Sequence, residues 1–68
     1  MTGATEAAPV RLSVDLTPGE AWDFAQFLKR AGFSTYRECA VDRDEAYRML
    51  HAGEKVRAAL ADVGYAPR

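Results

Sequence analysis

Val10, Leu12, Val14 and Leu16 alternate with Arg11, Ser13 and Asp15, and no other stretch constrains the fold as much. Period-two alternation is the pattern of a strand with one face buried and one face wet. A strand over 10–16 needs a ladder for its N–H and C=O groups, because leaving them unpaired against an apolar core is costly. The partner strand comes either from a weaker segment of the same chain or from the same strand of a second copy.

The rest of the chain offers little else to staple such a fold. Sixty-eight residues make one domain at most, and a domain that small is marginal without a disulfide, a metal or a partner chain. Cys39 is the only cysteine and His51 the only histidine. An intramolecular disulfide is therefore impossible, and Cys- or His-rich metal cages are excluded. Oligomerisation or close helix packing is left to supply the stability, and a homodimer is the expectation.

Residues 1–9 are small and polar and end in Pro9, which predicts a flexible N-terminal arm. Residues 10–68 form the single small domain. Thr17-Pro18-Gly19-Glu20 reads as a helix start, with Thr17 as N-cap, proline in the first turn and Glu20 completing a capping box. The first helix is expected over 18–31, stopping at Gly32 as a left-handed C-cap. Its apolar face reads as Ala21, Phe24, Ala25, Phe27, Leu28 and Ala31, with Trp22 outside that arc as a rim residue or a partner contact.

Residues 33–41 admit two readings. Ser34 or Thr35 can cap a short helix, with Glu38 as the capping partner of Thr35. Phe33, Thr35, Tyr36 and Val41 equally suit a strand, which would be the in-chain partner of 10–16. Asp42 and Glu45 then open a helix over 43–63, striped by Ala46, Met49, Leu50, Gly53, Val56, Leu60 and Val63 and closed by Gly64 and Pro67. Gly53 costs about 1 kcal/mol relative to alanine and marks a close helix crossing.

Chemistry is sparse. Cys39 has no base placed beside it, the acids Asp42, Asp44 and Glu45 complement a helix dipole better than they form a calcium loop, and no glycine-rich phosphate loop occurs. No catalytic site, metal or cofactor is expected, and the chain does not read as an enzyme. Composition is that of a water-soluble protein, with 49% hydrophobic and 28% charged residues and a net charge of −1. Without a membrane-length apolar run or the basic, apolar start of a signal peptide, and with one thiol, the expected location is the cytoplasm.

Surfaces remain. Arg11, Ser13 and Asp15 lie on the polar side of the alternating stretch. A two-stranded ribbon fits the DNA major groove, where Arg11 can contact guanine while Asp15 accepts only from cytosine and repels phosphate. Helix-start amides at Ser34 and Thr35, with Arg37 alongside, suit a phosphate. Yet residues 10–41 carry four basic and four acidic side chains and residues 42–68 five of each, so neither half is a basic module.

The order of these parts resembles the Arc/MetJ-type ribbon-helix-helix regulators: a strand ending at Leu16, Thr17-Pro18-Gly19-Glu20 leading into a helix, the turn Gly32-Phe33-Ser34, and a second helix. The resemblance covers residues 10–41. It implies a mostly α fold with one N-terminal β-strand, built as an intertwined homodimer with an extended C-terminal helix. Val10, Leu12, Val14 and Leu16 would form the dimer core, Arg11, Ser13 and Asp15 would face the groove, and Ser34 and Thr35 would hold phosphate. Function is then a DNA-binding transcriptional regulator. The alternative is a protein-binding inhibitor or adaptor, antitoxin-like or anti-defence, that uses Trp22, Met49 and Val56. The alternative fold is a monomeric α+β unit of order β-α-β-α.

Overall fold

A computed structural model describes residues 8–68, and the arm expected over residues 1–9 lies, but for Ala8 and Pro9, outside the described residues. Three helices make up its regular structure: α1 (Pro18–Arg30), α2 (Phe33–Cys39) and α3 (Arg43–Asp62). α3 is the strut, with α1 and α2 each packed against it.

The helix ends follow from local hydrogen bonds. At the start of α1 the Thr17 hydroxyl accepts from the Glu20 amide at 3.1 Å, and the Glu20 carboxylate accepts from the Thr17 amide at 2.9 Å, a complete capping box. At α3 the Asp42 carboxylate accepts from the Glu45 amide at 2.8 Å, while Glu45 reaches back to the Val41 amide at 2.7 Å. The C-terminal end of α3 is a Schellman turn. Tyr65 N–H donates to Leu60 C=O and Gly64 N–H to Ala61 C=O, with Gly64 at φ 103, a conformation that glycine adopts without a Cβ penalty.

Several expectations are corrected. Among the described residues there is no strand, so the ribbon-helix-helix homodimer and the β-α-β-α unit both fall as descriptions of the fold. Val10–Leu16 is extended chain, and none of its backbone groups takes part in a hydrogen bond among the described residues. The physical reason is exposure. Every residue from 10 to 16 is exposed, so water satisfies the N–H and C=O groups and no ladder is demanded. Phe33–Val41 is not a second strand either, because Phe33–Cys39 is helical.

Two capping assignments also change. Gly32 is not a left-handed cap; its φ of −106 is ordinary, and it serves as N-cap of α2, while Ala31 caps α1 with its N–H on Phe27 C=O. Ser34 and Thr35 therefore lie inside the first turn of α2 rather than before it.

The core is small. Ala21, Ala25, Leu28, Ala46 and Leu60 are the buried apolar residues, and Tyr65 folds back onto the cluster of Ala21, Ala25, Leu28 and Leu60. Of the apolar face expected on α1, only Ala21, Ala25 and Leu28 are inside. Phe24 and Phe27 are 43% and 48% exposed. Ala21, Ala25 and Leu28 form the inner side of α1, so Phe24 and Phe27, a step round the helix, are left partly outside.

Candidate protein-binding trough

An open, apolar trough has the extended segment as one wall. Val10, Leu12, Val14 and Leu16 contribute that wall, while Val56, Ala59 and Leu60 of α3 and its C-cap Val63 line it together with Ala21 and Tyr65. The alternation read in the sequence explains the wall. In extended chain, successive side chains point to opposite sides, so the four apolar residues share the trough while Arg11, Ser13 and Asp15 are absent from its lining. Lys55 is the one charged residue of the lining.

The trough is unfilled in the chain alone. Val10, Leu12 and Val14 are 84%, 79% and 68% exposed, and Val63 is 70% exposed. Tyr65 is part of the lining, and its ring meets Trp22 edge-on at 6.1 Å between centroids. Trp22 thus packs against the residue that completes the Schellman turn. The i,i+4 spacing of Val56 and Leu60 and the Gly64-Tyr65 turn were the sequence signals for this surface, and their combination with 10–16 was not readable without the fold.

The residues singled out from the sequence fall in different places. Of Trp22, Met49 and Val56, only Val56 lines the trough; Trp22 supports it through Tyr65, and Met49 is half-buried farther back on α3. Arg11, Ser13 and Asp15 sit on the extended segment and Ser34, Thr35 and Arg37 on α2, all exposed except the half-buried Thr35. Arg37 donates to the Ala40 carbonyl at 3.2 Å, and the Thr35 amide donates to the Gly32 carbonyl at 3.0 Å. No hydrogen bond or ion pair joins the two groups among the described residues. Cys39 is free and exposed, and no group of three acidic, His or Cys side chains among the described residues is arranged to hold a metal ion.

Comparison with known proteins adds a family. Residues 1–68, the full sequence given, match the profile described as "Family of unknown function (DUF7706)". The chain belongs to DUF7706. No curated protein and no solved structure matches it. Among the described residues of this DUF7706 chain, no helix is long and apolar enough to cross a membrane.

Proposed function

We propose that this DUF7706 chain is a protein-binding adaptor or inhibitor whose trough receives an apolar segment of a partner protein. The observation that carries the reading is the exposed row Val10, Leu12, Val14 and Leu16 facing Val56 and Val63 across the trough. Contiguous apolar surface on a small domain is unfavourable in water and marks an interaction site. The partner segment carries alternating or helically spaced aliphatic residues, with an acidic side chain placed to meet Lys55 at the rim. A compartment that keeps Cys39 reduced, as the cytoplasm does, suits that role.

The rival is a DNA-binding regulator acting as a homodimer, with Arg11 as its reading residue. It has less support: Asp15 shares the polar side of the segment with Arg11, and Arg37 is engaged within its own helix. A photo-crosslinking residue at position 56, introduced in the source cell, separates the two. A discrete heterologous adduct that disappears in Leu12→Asp supports the adaptor. Absence of such an adduct contradicts it, as does tight, salt-sensitive binding to duplex DNA that is lost in Arg11→Ala.

A further inference from the structure

The outer face of α1 is a second apolar surface, distinct from the trough except at their shared residue Leu16. Phe24 and Phe27 stack on each other, with centroids 5.7 Å apart and planes 12° off parallel, yet each is nearly half exposed. The buried side of the same helix holds only Ala21, Ala25 and Leu28. With alanines inside and phenylalanines outside, α1 leaves an apolar face exposed to water.

Charge on that face identifies the partner. Asp23, Phe27 and Arg30 follow at i, i+4 and i+7, so they form one row along the helix. Asp23 and Arg30 stand about 10 Å apart along the axis, with Phe27 between them. Neither enters an ion pair among the described residues, where the sole pair is Arg57–Glu54 at 4.0 Å. The row is therefore acidic at its N-terminal end, aromatic in the middle and basic at its C-terminal end.

We infer that the occupant is α1 of a second copy, laid antiparallel about a twofold axis near Phe27. A twofold axis normal to the helix pair keeps residues of one row on the same flank of the seam. Each Asp23 then lies beside Arg30 of the other copy, and the four phenylalanines meet at the centre. A parallel arrangement would set Asp23 against Asp23 and Arg30 against Arg30, so the charges select the antiparallel one. Shallow concavities lie on both sides of Phe27, one reaching Arg30 and Thr35 and the other Leu16 and Phe24. They give the aromatic knobs of the second copy somewhere to seat. One helix pair is a small interface by the standards of stable complexes, so the dimer dissociates on dilution. The troughs meet the seam only at Leu16, and the dimer presents two of them.

Sedimentation velocity on the full chain over a wide dilution series tests this. The wild type is expected to pass reversibly between monomer and dimer. Phe27→Ser is expected to weaken association about tenfold or more with unchanged helical circular dichroism. Asp23→Arg and Arg30→Asp each weaken it, and the double exchange recovers it, a restoration that a purely structural effect would not produce. A wild-type monomer at every concentration overturns the proposal, as does a dimer indifferent to Phe27→Ser. Leu12→Asp separates this proposal from the adaptor reading: it should leave the dimer intact while abolishing partner binding. Loss of the dimer in Leu12→Asp with retention in Phe27→Ser would place the seam at the extended segment and overturn the α1 pairing alone.

Discussion

Gly53 is a position of α3 that side chains of both α1 and α2 approach. A Cβ built there would overlap the Tyr36 hydroxyl and lie 3.1 Å from Tyr36 Cζ and 3.5 Å from Leu28 Cδ2. Two effects of Gly53→Ala therefore oppose each other. Alanine gains about 1 kcal/mol of helix propensity, and overpacking costs about 1–3 kcal/mol. We expect a net loss in chemical denaturation of the single variant. In a Tyr36→Ala background the same change should instead stabilise by up to about 1 kcal/mol, because the obstructing ring is gone. An equal effect in both backgrounds would show that the crossing is not tight. The helix starts are simpler residue-scale devices: Thr17→Ala should cost about 1 kcal/mol in thermal or chemical unfolding through loss of the cap. The positions of Thr17, Asp42 and Gly53 were legible in the sequence because capping and close crossing leave short-range signatures. The outward turn of Phe24 and Phe27 was not, because an apolar arc on a helical wheel does not say which part of the arc a neighbour covers.

At the scale of the element, the segment Val10–Leu16 carries the clearest lesson. Its alternation was legible and its side-chain geometry follows from it, but alternation reports that one side is apolar, not that a second strand pairs with the backbone. The ladder was an inference from the cost of buried, unpaired amides, and that cost vanishes for exposed chain. The extended wall should therefore contribute to binding and little to folding. Leu12→Asp and Val14→Asp are expected to change unfolding free energy by no more than about 0.5 kcal/mol, while Leu12→Asp removes capture of the partner at position 56. A large loss of stability in either variant would mean that the segment is part of the folded core.

For the whole molecule, α3 joins two helices that each depend on it, around a core in which three of the five buried apolar residues are alanine. Leu28 is one of the two exceptions, with Leu60: it is 4% exposed and reaches toward Gly53. Leu28→Ala should cost about 3 kcal/mol, against a total of about 5–15 kcal/mol for ordinary domains, and a chain with this little interior should sit near the lower end. Calorimetry should show the variant largely unfolded at physiological temperature; a small shift in Tm would mean that the surroundings collapse around the missing side chain. Helices α1 and α3 were readable from caps and periodicity, α2 stayed open between helix and strand, and the trough needed three separated segments, 10–16, Ala21 and 56–65, to be brought together.

That the extended segment is an open wall of a trough, and not a strand of a sheet, is tested most directly by hydrogen exchange read amide by amide on the purified chain. The amides of residues 11–16 should exchange at unprotected rates at every protein concentration, while those of α1 and α3 are protected. Protection of alternate amides in 11–16, rising with concentration, would reveal a ladder between copies and contradict the account.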